Sequence, residues 1–391
     1  MTTRTTAGAR PLGVTPGGDY TAVIEVAREP DGSFHWTNLN IAAGTKVGPG
    51  LLRPAPFPSL TCGLAAVAWG QDSRRVYYAN TDGAVGELTT DGNGWGYRNF
   101  TRDQGTTAAA WNSPLASAGM RAGTMSLCYA DDTGQLVVLT FRGDWTWGAD
   151  PRLPRVSPRS PLTALQNGRA AFVYYFDGAD HLIEVEELGS GVRYTDLTAY
   201  ITGLPAASPL SGLSAVGWGK DSRRVFYADR PGNLVEARGF GDVGGWKWQD
   251  LGSLGIRQPG DGSALAAAAG ADAMTGVALW NRASEPFWAD WINGWSNKDI
   301  RTTRNGARPV VAANSSVATA LGRDGRPWVC YVDDGNHLCL WLGPDAGWQW
   351  WDLTADLRLP VAAKVATQGP LALVHTERGP RLYYLTDEPD Y

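Results

Sequence analysis

Short stretches in which apolar and polar residues alternate follow one another along the chain, broken by clusters of Asp, Asn and Gly. A period of two between turn signals predicts half-buried β-strands rather than helices. The strands come in a fixed order. A strand of small residues (LAAVAW, LTAL, LSAVGW, ALAAAAG) is followed by an aromatic one (RRVYYA, FVYYF, RRVFYA, WVCYV). A turn, a third strand (AVGEL, HLIEV, NLVEA, HLCLW), a Gly-rich connection and a fourth strand opened by an aromatic residue complete the unit.

The unit recurs. Residues 63–79 (GLAAVAWGQDSRRVYYA) and 212–228 (GLSAVGWGKDSRRVFYA) agree at 13 of 17 positions, 149 residues apart. That distance is too long for one repeat. The aromatic openers subdivide it: Trp36, Trp95, Trp145, Tyr194, Trp246, Trp295 and Trp348 follow at spacings of 59, 50, 49, 52, 49 and 53. Seven four-stranded units of that length describe the blades of a β-propeller. The ends of the chain support the count. PLALVHTERGPRLYYLT resembles the first two strands of a unit and then stops, while TAVIEVA and FHWTNL near the N-terminus supply the last two. Joined, they make one blade and leave no unpaired edge in the ring. The expectation is an all-β, seven-bladed propeller occupying residues 1–391 as a single domain. Its first blade is shared between roughly 1–45 and 365–391.

Composition sharpens this picture. Forty-nine Gly and 18 Trp among 391 residues suit short strands and tight turns, so no long helix is expected. The net charge of −5, with no basic stripe, argues against nucleic acid as a partner. No apolar run is long enough to insert into a membrane. The opening MTTRTTAGARPLGV lacks the apolar segment of a secretory signal. Synthesis in the cytosol is therefore expected, with release by another route left open. Cys62, Cys128, Cys330 and Cys339 form no disulfide framework; buried free thiols are expected, with a Cys330–Cys339 bond across a hairpin as the alternative.

Catalytic and metal chemistry is sparse. The strands assigned to the central channel (TTAAAW, LTAL, ALAAAAG, PVVAAN) carry almost no titratable groups. His35, His181, His337 and His375 are far apart, and no Cys/His spacing suits zinc, so neither metal nor cofactor is expected. His181 and His337 hold equivalent positions before a third strand and read as repeat-structural. Asp131-Asp132 and Asp333-Asp334-Gly335 read as turn residues.

A charged pair does recur. Arg75 and Glu87 lie 12 residues apart on the second and third strands of one unit, and Arg224 and Glu236 repeat the spacing three units on. In the split blade Arg381 and Glu25 take the two positions. Other units replace the pair, with Phe172 and Glu184, Ser126 and Val138, or Trp328 and Leu340. Hairpin geometry brings such pairs together. They serve either as a cross-strand ion pair or as a saccharide site, in which a guanidinium donates, a carboxylate accepts and an aromatic ring covers the C–H face of a sugar.

At these residues, clearest in RVYYANTDGAVGE (75–87) and RVFYADRPGNLVE (224–236), the chain resembles the fungal fucose-specific lectins. It is also similar to bacterial seven-bladed lectins. The resemblance implies sites between neighbouring blades, with Arg and Glu from one blade and an aromatic residue from the next. By position, Arg75 and Glu87 would use Trp145, Arg224 and Glu236 would use Trp295, and Arg381 and Glu25 would use Trp95. The fungal family has six blades where seven are counted here, and three of seven blades keep the pair, which implies three sites at most. The expected function is a non-catalytic lectin for fucose or a similar monosaccharide on glycans. A protein-interaction scaffold and a propeller enzyme with a rim active site are the alternatives.

Overall fold

The computed structural model describes residues 21–386, apart from 49–50, 122, 168–169, 188–190, 219–221, 241–244, 257, 261, 270–274, 281–284, 292–293, 300–309, 313–314, 323, 344–347, 361 and 363–370. The opening segment read for a signal, and the outermost parts of both ends assigned to the first blade, lie outside the described residues.

Seven four-stranded antiparallel sheets form a seven-bladed β-propeller. Blade 1 is the composite one. Its strands, from the axis outward, are Leu371–Thr376, Gly379–Thr386, Ala22–Arg28 and Phe34–Asn38. Blades 2 to 7 then follow in chain order, with innermost strands Leu64–Trp69, Leu115–Arg121, Thr163–Asn167, Leu213–Trp218, Ala266–Ala269 and Val317–Leu321. Each innermost strand contacts those of both neighbouring blades. The circuit closes where Leu371–Thr376 of blade 1 meets Leu64–Trp69 of blade 2.

The second strand of each blade shows why the hydrophobic pattern runs nearly unbroken there. Successive side chains of a strand point to opposite sheet faces. In a propeller both faces are covered by neighbouring blades, so both must be apolar. Tyr77 and Tyr78 are fully buried on opposite faces, as are Tyr174 and Tyr175, and Tyr383 and Tyr384. Their hydroxyls need acceptors at that depth. Tyr129 donates to Thr107 O at 2.7 Å, Tyr175 to Pro154 O at 2.7 Å and Tyr227 to Pro205 O at 2.6 Å, each tying a second strand to the segment that leads into its blade. Four of the fourth strands end in a single helical turn whose N-cap side chain accepts a backbone N–H: Asn38, Asn99, Asp196 and Asp352.

Two of the segments assigned to the channel are corrected. TTAAAW and PVVAAN precede the innermost strands rather than forming them; the strands are Leu115–Arg121 and Val317–Leu321. Ala109 and Val311 in those lead-ins make one isolated bridge each, to Asp131 and Asp333. Runs of alanine carry no alternation to mark a register, so the two small-residue segments cannot be told apart by pattern. The four cysteines are buried and free. Register explains why Cys330 and Cys339 stay apart: Cys330 faces Leu340 and Cys339 faces Tyr331, which puts their side chains on opposite sheet faces.

The ring is tight near its axis. Gly212, at the entrance to the innermost strand of blade 5, donates its N–H to Ser263 O, and a Cβ there would lie 2.7 Å from Leu265 N in blade 6. Gly63 stands at the same place in blade 2, where a Cβ would come within 2.3 Å of Leu115 N. Backbone cannot yield as a side chain can. Gly212→Ala should therefore cost about 1–3 kcal/mol in urea denaturation, and an unchanged midpoint would show that the blades can separate freely at this point.

Candidate functional site

The tandem arginines of SRRVYYA and SRRVFYA sit on the second strands of blades 2 and 5, with side chains on opposite faces of the sheet. The second of each pair stays within its own blade. In blade 2, Tyr77 is directly opposite Glu87, so Arg75 lies diagonal to the carboxylate and its Nη1 reaches Glu87 Oε2 at 3.0 Å. The neighbouring blade supplies aromatic rings: Arg75 Cζ stands 4.9 Å from the centre of Phe141 and 5.5 Å from that of Trp145, both in blade 3, and 5.3 Å from Trp69 of its own blade. Trp145 in turn packs edge-on against Phe100 at 4.7 Å. Arg75 Nε and Trp145 Nε1 are buried and have no hydrogen-bond acceptor among the described residues. The Arg75 side chain keeps 15% exposure, whereas Glu87 keeps 3%. Burial raises the pKa of Glu87 above the ordinary carboxylate value, against the pull of Arg75.

Blade 5 repeats the arrangement against blade 6, more tightly closed. Arg224 Nε lies 3.1 Å from Glu236 Oε1, with exposures of 5% and 0%. The guanidinium stands 5.1 Å from Trp291 and 5.9 Å from Trp295. Here the indole N–H has a partner: Trp295 Nε1 donates to Glu236 Oε2 at 3.3 Å, which also accepts from Gln249 Nε2 at 2.6 Å. Burial raises the pKa of Glu236 and lowers that of Arg224.

The third grouping, Arg381 with Glu25 and Trp95, is not brought together. Arg381 has the expected register, diagonal to Glu25, which faces Tyr383. Its side chain instead turns to Glu29 Oε1 at 3.1 Å and to the carbonyls of Arg28 and Pro380. Glu25 is already taken. Arg74, the first arginine of the blade 2 tandem, crosses from the neighbouring blade and donates Nε to Glu25 Oε2 at 2.9 Å and Nη2 to Oε1 at 3.2 Å, while the Tyr383 hydroxyl donates to Oε2 at 2.8 Å. Trp95 lies beside this pair, 5.3 Å from Arg74 Cζ. The same clasp recurs between blades 4 and 5. Arg223 donates to both oxygens of Glu184, Tyr174 donates to Oε2 at 2.6 Å, and Phe172 and Trp246 flank the guanidinium at 4.0 and 5.4 Å. These two clasps were missed by the sequence reading; the signal available was the doubled arginine in both second strands.

His181 and His337 also find structural partners. The Nδ1 of each lies 2.8 Å from the N-cap aspartate that follows, Asp196 and Asp352. Asp131 and Asp333 accept backbone N–H groups within their own turns, as turn residues do. Among the described residues, no three His, Cys, Asp or Glu side chains cluster as metal ligands would, and no helix is long and apolar enough to cross a membrane.

Solved structures similar to this one include two described as lectins. The six-bladed lectin of the fungus Aleuria aurantia, described with its mode of fucose recognition, superposes with a TM-score of 0.55 at 18% identity, over 74% of this chain and 95% of that one. A lectin from Burkholderia pseudomallei reaches 0.56 at 16% identity, over 85% of this chain and 98% of its own. A protein from Arthrobotrys oligospora, AofleA, gives 0.55 at 18% identity, over 74% and 85%. At these identities the likeness is one of fold. No family profile and no curated protein sequence matches the chain.

Proposed function

We propose that the protein is a non-catalytic lectin that binds a neutral monosaccharide of the fucose type in the cleft between blades 2 and 3. The observation that carries this reading is the pair of unspent buried donors: Arg75 Nε, on the guanidinium that meets Glu87, and Trp145 Nε1, on the ring 5.5 Å from that guanidinium. Buried donors without acceptors cost about 1–3 kcal/mol each. A vicinal diol offers both groups acceptors and offers Glu87 a hydroxyl donor, while Phe141 and Trp145 present rings to C–H groups. Support also comes from the neighbours. One Aleuria aurantia structure holds Fucα1-6GlcNAc and another α-methyl-L-fucoside, so fucosylated glycans are the partners to try first. That the Aleuria aurantia and Burkholderia pseudomallei proteins are lectins favours a binding protein over an enzyme.

A single monosaccharide site of this kind binds in roughly the μM to mM range, about −8 to −4 kcal/mol. The cleft between blades 5 and 6 is closed more tightly and its indole donor is satisfied internally. A sugar reaches it only by displacing Trp291 or Trp295, so it contributes a weaker second site or none. A second reading is favoured there by burial: Arg224 and Glu236 act as a clasp holding blades 5 and 6 together.

The direction of the Glu87 shift gives a pH prediction. Glu87 accepts only while ionised, and its folded pKa is raised. Sugar affinity should thus fall on acidification with a midpoint above that of an ordinary glutamate, and be constant from there to neutrality. Binding titrated across pH 4 to 8 checks this. A flat profile would remove Glu87 from the site.

A further inference from the structure

A cavity of about 500 Å³ opens between blades 3 and 4, within the range of about 300–1,000 Å³ usual for ligand pockets. Register shows how it arises. Val138 faces Gly148 across the outer strands of blade 3, as Glu87 faces Arg98 in blade 2 and Glu236 faces Gln249 in blade 5. Val192 faces Glu187 at the start of the fourth strand of blade 4, as Trp145 faces Phe141 in blade 3. The carboxylate, its long cross-strand partner and the indole found at the Arg75 cleft are thus replaced by valine, glycine and valine. Gly148 marks the open space independently. A Cβ built on it would meet nothing within 4 Å, and residues directly opposite in a sheet share one face, so it would project beside Val138.

The lining differs from the Arg75 cleft in chemistry as well as in size. Leu136, Val138 and Leu153 are buried and form an aliphatic floor. Two carboxylates line the cavity, and each is already matched by a cation. Arg142 Nη2 lies 2.9 Å from Glu187 Oε2, and Arg152 Nη2 lies 2.5 Å from Asp150 Oδ2. A charged ligand would find no uncompensated counter-charge. The unspent donors of the Arg75 cleft have no counterpart either: among the described lining residues, no buried side-chain nitrogen or oxygen lacks a hydrogen-bond partner. A hydroxyl-rich ligand would find few groups to replace its bonds to water. An apolar one gains by leaving water.

We infer that this cavity binds a neutral, largely apolar small molecule with the bulk of two or three rings, and that it is not a carbohydrate site. The bulk follows from the volume: an apolar protein cavity of about 150 Å³ takes one benzene ring, and this space is roughly three times larger. The inference goes beyond the lectin reading and does not depend on it, since the lining shares no residue with the Arg75 cleft.

The probe is N-phenylnaphthylamine, a neutral aromatic dye that brightens in apolar surroundings. Titrated into wild type, it should give a saturable rise in fluorescence that excess α-methyl-L-fucoside leaves unchanged. Gly148→Leu sends an aliphatic side chain into the open space without striking backbone, and should weaken dye binding at least tenfold. Val192→Trp, which restores at this cleft the indole of its neighbour, should do the same and keeps the test decisive if Gly148→Leu does not fold. Arg75→Ala should bind the dye as wild type does. The inference is overturned by the absence of a saturable signal from wild type, by displacement of the dye with the fucoside, or by wild-type affinity in either filled variant once it is shown to be folded. Failure of wild type to bind the fucoside bears on the lectin reading alone, so the two readings fail separately.

Discussion

Arg74→Ala is expected to destabilise the folded protein by about 3–5 kcal/mol, the cost of leaving a buried charge without its partner. Glu25 is 4% exposed and Arg74 10%, and the guanidinium meets the carboxylate with two nitrogens on two oxygens. Removing the arginine strands a carboxylate whose other hydrogen bond among the described residues comes from one phenol, that of Tyr383, in a gap flanked by Trp95. The location magnifies the effect, because this clasp ties the blade built from both chain ends to the first continuous blade. Arg223→Ala should cost a similar amount between blades 4 and 5, where Glu184 is 7% exposed and burial already raises its pKa. A double replacement, Arg74→Met with Glu25→Leu, should recover most of the loss, since an apolar pair of similar volume leaves no charge stranded. Guanidinium denaturation at pH 7 of the two single variants and the double one measures this. A loss under 1 kcal/mol for Arg74→Ala would mean that the pair behaves as a surface ion pair.

The second large effect concerns binding. Arg75→Ala removes the donor group of the cleft between blades 2 and 3 and should weaken monosaccharide binding about 10- to 150-fold, the equivalent of about 1.5–3 kcal/mol for hydrogen bonds to a charged group. Arg75→Lys keeps the charge but not the planar fork, and should recover only part of the affinity. Arg224→Ala separates the two readings of the equivalent pair. If Arg224 and Glu236 form a clasp, the variant is destabilised while binding to α-methyl-L-fucoside is unchanged; if they form an open site, stoichiometry falls with little loss of stability.

These two predictions differ in how far the sequence foreshadows them. Arg75 and Glu87 are joined by one hairpin, so a spacing of 12 residues sets their register, and the same holds for Arg224 and Glu236. Blade count and the composite blade are legible for a similar reason: each strand pairs with its chain neighbour, and the leftover strands at the two ends can pair only with each other. The clasps are different. Arg74 meets a glutamate 49 residues away in another blade, and no hairpin spacing encodes which face a side chain turns to or which of two arginines wins one carboxylate. That competition displaced Arg381 from its expected partner. The cavity of about 500 Å³ between blades 3 and 4 was illegible for the opposite reason, because Val138 and Val192 in its lining mark it only by being small. Alanine-rich lead-ins passed for inner strands because a run without polar positions carries no register.

Calorimetric titration of α-methyl-L-fucoside into wild type and Arg75→Ala, with both proteins shown to be folded, is the most direct test of the binding cleft. Saturable heat from wild type that is lost or weakened at least tenfold in the variant is the expected result. Identical isotherms for the two proteins, or no heat from either, would contradict it.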